Sequence, residues 1–146
     1  MEFLSEWAEK VISHRKAELE KQELQDRALV EKQRIKREFA PVVWRNLRNA
    51  FQLRCEELNR ANGSKLVELA EKNPREFSVR IVGQGVELAV VHQNETIQYS
   101  YGSVSGAYSF SVGKDGSLEL VDASRYSFTA DYIAQEVLGE LLRRVG

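Results

Sequence analysis

Residues 77–112 read FSVRIVGQGVELAVVHQNETIQYSYGSVSGAYSFSV, and the alternation in this stretch decides the fold. Phe77, Val79 and Ile81 alternate with Ser78 and Arg80, and Val86, Leu88 and Val90 alternate with Glu87 and Ala89. Ile97, Tyr99 and Tyr101 alternate with Gln98 and Ser100, and Tyr108, Phe110 and Val112 alternate with Ser109 and Ser111. Leu118 and Leu120, flanking Glu119, add a fifth run. Successive side chains of a strand point to opposite faces, so each run puts an apolar set on one face and a polar set on the other. Gly83-Gln84-Gly85, Gln93-Asn94-Glu95, Gly102 to Gly106 and Gly113-Lys114-Asp115-Gly116 separate the runs. Connections this short hold no crossover helix, which predicts five antiparallel strands in a meander.

The flanks are helical. Ala130, Ile133, Ala134, Val137, Leu138, Leu141, Leu142 and Val145 make a continuous apolar face, with Thr129 placed as N-cap and Arg143 and Arg144 in the last turn. Residues 1–62 contain no glycine and are rich in Glu, Lys, Arg, Leu, Gln and Ala, all good helix formers. Phe3, Leu4, Trp7, Ala8, Val11 and Ile12 form an apolar stripe at helical spacing. From Ser13 to Glu38 that stripe thins, and pairs such as Glu23–Arg27 support the helix locally. Pro41 lacks an N–H and clashes one turn back, which predicts a kink or a restart there. Beyond it Val43, Leu47, Ala50, Phe51, Cys55 and Leu58 give a core helix over about 42–61, with Trp44 at its edge. Asn62-Gly63 caps that helix, Ser64 starts a short helix over 65–72, and Asn73-Pro74 ends it. The fold expected is α+β: a helical arm of residues 1–40, then a two-layer domain of residues 41–146 with its helices on one sheet face.

Composition excludes several classes of function. Among 146 residues, 21 Lys and Arg stand against 22 Asp and Glu, so the chain as a whole is not a basic nucleic-acid binder. A single cysteine excludes an intramolecular disulfide framework and a cysteine-cluster zinc site. No stretch reaches the roughly 20 apolar residues of a spanning helix, and the acidic start lacks the pattern of a secretory signal. The expectation is a cytoplasmic protein without metal or other cofactor, and with no membrane association.

Few residues invite catalytic chemistry. Cys55 falls on a core-facing helix position, where cysteine behaves as a small hydrophobe. His92 reads as an exposed residue where a strand meets a turn, and His14 as a solvated helix residue. Gly83-x-Gly85 leads into a strand rather than a helix, so the requirement for a dinucleotide loop fails. No serine stands in a Gly-x-Ser-x-Gly elbow. No catalytic residue is assigned, and an enzyme is the less favoured reading.

Three features point to binding. The apolar tip Phe3, Leu4, Trp7 and Val11 sits on a polar stalk and wants a partner, with Trp7 a natural anchor. Its seam is too irregular to assign a coiled coil, so the arm is read as either a coiled-coil or a partner-docking element. Residues 27–54 carry eight basic residues against two acids, and Arg27, Arg34, Arg37, Arg45 and Arg48 fall in one sector about 80° wide, with Arg34, Arg37, Arg45 and Arg48 the candidates for binding anions. Tyr99, Tyr101 and Tyr108 place hydroxyls on the inner sheet face, where a pocket between helices and sheet would lie. The outer face, with Ser78, Arg80, Glu87, Ala89, Gln98, Ser100, Ala107, Ser109, Ser111 and Glu119, is flat, mostly small and polar. The favoured function is a non-enzymatic interaction or assembly module that self-associates or docks a protein partner through the arm. Binding of nucleic acid or an acidic partner by the arginines is the first alternative, and a small-ligand or catalytic pocket the second.

Overall fold

The computed structural model describes residues 2–145, with side chains from Ser5 to Arg144. The chain divides into two compact units, Met1–Arg34 and Ile35–Gly146. One helix, α1, runs over Glu2–Asn62 and passes through Pro41 without restarting. A proline inside a helix costs about 3 kcal/mol. Ile35 and Trp44 are both buried, so packing holds the helix on each side of the proline and outweighs the lost hydrogen bond.

The second unit is the α+β domain. Its sheet has seven strands, not five: β1 (Val67–Asn73), β2 (Glu76–Ile81), β3 (Glu87–Gln93), β4 (Thr96–Tyr101), β5 (Val104–Val112), β6 (Leu118–Val121) and β7 (Ser127–Phe128). They lie side by side in sequence order, each antiparallel to the next. Helix α2, Ala130–Val145, follows. The two added strands flank the expected five. β1 replaces the short helix expected over 65–72: Val67 is buried and pairs with Ile81, and Leu69 pairs with Val79. The turn signal assigned to Gly102 to Gly106 is also shorter than expected, since β5 begins at Val104 and Gly106 lies within it.

Register explains the core. Phe77 pairs with Val90, Val90 with Tyr99, and Phe110 with Leu120, so the apolar members of neighbouring strands share one face. Trp44, Leu47, Phe51 and Cys55 of α1 and Ile133, Ala134, Val137, Leu138 and Leu141 of α2 are buried on it in a single cluster. Each fully buried side chain of this size contributes roughly 1.5–3 kcal/mol. The outer face is as expected in membership, since Ser78 pairs with Ala89, Ala89 with Ser100 and Gln98 with Ala107. Ser78 nonetheless is only 4% exposed. Beside it Lys72 and Glu87 form an ion pair at 2.8 Å, and the Ser78 hydroxyl helps hold the Glu87 carboxyl below its ordinary pKa, after Lys72.

Local bonds fix the end of α1, the start of α2 and the contact between the two helices. At the end of α1, Asn59 Oδ1 accepts from the N–H groups of Leu66 and Val67 at 2.8 and 2.9 Å, while its Nδ2 donates to the Val67 carbonyl at 3.0 Å. Gly63 adopts a φ of 75°, the left-handed conformation that lets the chain leave the helix and enter β1. At the start of α2, Thr129 Oγ1 accepts from Tyr132 N–H at 3.2 Å, the expected N-cap. Arg54 of α1 grips Asp131 of α2 through two parallel bonds of 2.8 and 2.6 Å, the forked geometry that only arginine provides.

Asn59→Ala removes three bonds at a half-buried junction, where an unsatisfied backbone group costs about 1–3 kcal/mol. Urea unfolding should show a loss in that range, whereas Gln33→Ala, on the exposed helix surface, should change stability by less than about 0.5 kcal/mol.

Candidate functional site

The arginines divide into those that meet and those that do not. Arg34 belongs to the first unit, and Glu31 binds it at 3.1 Å through Nε and at 2.5 Å through Nη2. Arg37 is exposed and does not line the cleft that Arg45 and Arg48 share. Arg45 and Arg48, by contrast, come together in a cleft of about 520 Å³ between α1 and the β1–β2 turn. Pro41, Trp44, Asn49, Glu71, Pro74, Arg75 and His92 complete its lining. Helical spacing accounts for Pro41, Trp44, Arg45, Arg48 and Asn49, which follow one another around the exposed edge of the core helix.

The opposite wall is a tight turn held in three ways. Asn73 Oδ1 accepts from Arg75 N–H at 2.9 Å, an Asx turn. The Trp44 indole Nε1 donates to the Pro74 carbonyl at 2.9 Å, and His92 N–H donates to the Arg75 carbonyl at 2.8 Å. The Arg75 guanidinium is thus carried on backbone fixed to both α1 and β3. Arg48 Nη2 pairs with Glu71 at 3.2 Å, while its Nε is buried and meets no hydrogen-bond partner among the described residues. A buried donor left unpaired costs about 1–3 kcal/mol. Neither Arg45 nor Arg75 has an ion-pair partner among the described residues. Three guanidiniums against one carboxylate leave the cleft with a net charge of +2.

His92 is not the exposed turn residue expected. β3 extends through Gln93, so His92 continues the inward series of Leu88 and Val90 and is half-buried. Its ring lies 5.6 Å from Trp44 and 5.3 Å from Phe110. Burial, and then the Arg75 charge, hold its pKa below the ordinary 6.5, partly offset by a bond to the backbone of Asn94. His14 is exposed on α1. Cys55 is buried, and burial, with Glu56 nearby, pushes its thiol up to about 12, far from the range of a nucleophilic thiolate.

The tyrosines lie at the other end of the sheet. Tyr99 and Tyr108 line a second cleft of about 390 Å³ with Asp122, Phe128, Tyr132, Glu136 and Glu140. Tyr99 faces Gly106 across the β4–β5 pair, and a Cβ there would collide with the ring, so only glycine fits. Tyr101 does not line that cleft. Its hydroxyl is buried without a well-formed hydrogen bond, and burial, together with the adjacent Glu140 carboxyl, raises its pKa. Burial pushes Tyr108 up to about 12. This wall offers phenols and carboxylates and no basic group. Among the described residues no group of three His, Cys, Asp or Glu side chains is placed to hold a metal ion, and no helix is long and apolar enough to cross a membrane.

On the arm, the side chains of Phe3 and Leu4 lie outside the described residues. Trp7 and Val11 are 65% and 48% exposed, and Ile12, Leu19, Leu24, Leu29 and Val30 are exposed as well. No protein-family model, no curated protein and no solved structure matches the chain.

Two outcomes follow from the titration states. His92 with a depressed pKa takes up its proton more readily in the unfolded chain. Folding stability therefore falls as pH drops through 6.5 and continues to fall until the folded group titrates. The melting temperature of the native chain should drop more over this interval than that of His92→Phe, and equal drops would show that the ring is not desolvated. The one cysteine, Cys55, should stay unreactive toward a disulfide reagent at mildly alkaline pH until the chain is unfolded.

Proposed function

We propose that the chain is a non-enzymatic assembly module, a cytoplasmic protein that self-associates through its N-terminal helical arm. The observation that carries this reading is the exposure of seven large apolar side chains, Trp7, Val11, Ile12, Leu19, Leu24, Leu29 and Val30, on a unit that consists of one helix. Isolated helices are marginal in water, and most gain their stability from packing an apolar face. A helix of this length therefore calls for a second helix, and its charge distribution favours another copy of itself. Glu2, Glu6 and Glu9 all precede the first basic residue, Lys10, whereas Arg27, Lys32 and Arg34 crowd the far end against Glu31. Two arms laid antiparallel bring each acidic tip beside the other's basic base. The same alignment sets Trp7 near Leu29, and these two, with Val11, fall within about 40° of one another around the helix. A two-fold pair of this kind is self-complementary and closed.

Light scattering after size exclusion tests this on the full chain. The expected mass is twice the 16.7 kDa of one chain. Trp7→Glu combined with Leu29→Glu should give a monomer with an unchanged folded domain, and raising the salt should weaken the native dimer because the pairing of tip and base is screened. A native chain that stays monomeric at high micromolar concentration overturns the reading.

A further inference from the structure

We propose that the cleft between α1 and the β1–β2 turn binds a small organic phosphate monoester, its dianion held by Arg45, Arg48 and Arg75 and its planar body lying along Trp44, Pro41 and Pro74. Four observations converge on this. The cleft, at about 520 Å³, is in the range that takes up small-molecule ligands. Its net charge of +2 matches a phosphate monoester, whose second ionisation lies near pH 6 and is complete at slightly alkaline pH. Among the described residues the Arg45 and Arg75 guanidiniums have no carboxylate partner, and Arg48 Nε is a buried donor without an acceptor. Guanidinium groups are the side chains best shaped for phosphate oxygens, because two parallel donors meet two oxygens at once.

The walls are arranged beforehand. Pro74 and Arg75 sit on a turn tied to Trp44, to His92 and to Asn73 by bonds of 2.8 to 2.9 Å, so the backbone that carries Arg75 is in place before a ligand arrives. Glu71, the one acid of the lining, already faces Arg48 at 3.2 Å and leaves the other two guanidiniums uncovered. Two proline rings and the part of the Trp44 indole that lines the cleft give an apolar surface beside the charge, which favours an ester over the bare inorganic ion.

Phenyl phosphate is the probe, with phenol and inorganic phosphate beside it. The chain has two histidines, and His92 lines the cleft while His14 is exposed on the arm. Proton NMR of the full chain therefore carries its own internal control. Phenyl phosphate should shift the His92 ring resonance in a saturable way and leave His14 unmoved. It should also raise the pKa of His92. Arg75 is the charge that bears on that ring, Arg45, Arg48 and Glu71 line the same cleft, and a dianion among them offsets the Arg75 charge that, after burial, holds the pKa down. Arg45→Gln with Arg75→Gln should weaken binding by about tenfold for each guanidinium removed. Both side chains are exposed, and an unchanged melting temperature checks that the double variant is folded. Phenol should give no saturable shift, and inorganic phosphate should bind more weakly than the ester. The proposal is overturned by a His92 resonance that phenyl phosphate leaves in place, by undiminished binding in the folded double variant, or by inorganic phosphate binding as tightly as the ester.

Discussion

A seven-stranded meander has an apolar face that must be covered, and Phe77 is where α1 engages it. Trp44 and Phe51 each stand 5.2 Å from Phe77, ring centre to ring centre, and Phe77 is fully buried. Those two α1 residues are seven apart, two helical turns, so the contact sets both the height and the rotation of the helix over the strands. Much else follows from that setting. It puts Leu47 and Cys55 on the covered side, brings the helix end to β1 for Asn59 to bridge, and places Arg54 beside Asp131 at the start of α2. With the Trp44 ring fixed by its packing, its Nε1 reaches the Pro74 carbonyl and anchors the turn that carries Arg75.

The strands that were legible in the sequence are those whose alternation decides their burial. β2 through β6 each put alternate residues into the core, and a one-residue slip would expose all of them. β1 lacked that signature. Only Val67 is fully buried, the side chains from Ala70 to Asn73 are exposed, and Glu, Leu, Ala and Lys are better helix formers than strand formers. Pairing with β2, together with the grip of Asn59 on Leu66 and Val67, overrides that propensity. β7 is two residues long and left no periodicity to read. The continuity of α1 through Pro41 was hidden for a related reason: the local cost of a proline is visible in sequence, whereas the packing of Ile35 and Trp44 on either side of it is not.

The cleft was half legible. Arg45 and Arg48 were marked by helical phase, since residues three apart on a helix lie on neighbouring turns. Arg75 was not, because the β1–β2 turn that carries it lies next to α1 only once the sheet has folded. His92 had a readable signal that the polar turn after it obscured: it continues the series of Leu88 and Val90 at period two, which already placed it inside. The tyrosines divided in the same way. Period two put Tyr99, Tyr101 and Tyr108 on one face, but which of them lines a cavity depends on where α2 crosses the sheet.

Position around α1 separates the roles of the second unit's helical segment. The apolar stripe of Leu47, Phe51 and Cys55 carries the fold, and the edge beside it, with Arg45 and Arg48, carries charge that the fold does not consume. The contrast with Arg54 shows the difference. Arg54 spends its guanidinium on Asp131 and Glu57, which raise its pKa and tie α2 to α1. Among the described residues Arg48 has one ion pair, to Glu71, and an unpaired Nε. An arginine serving the fold alone would be expected to be satisfied as Arg54 is, since an unpaired buried donor only subtracts from stability. Polar groups left unsatisfied beside a cavity are where local order has been traded for contact with something else.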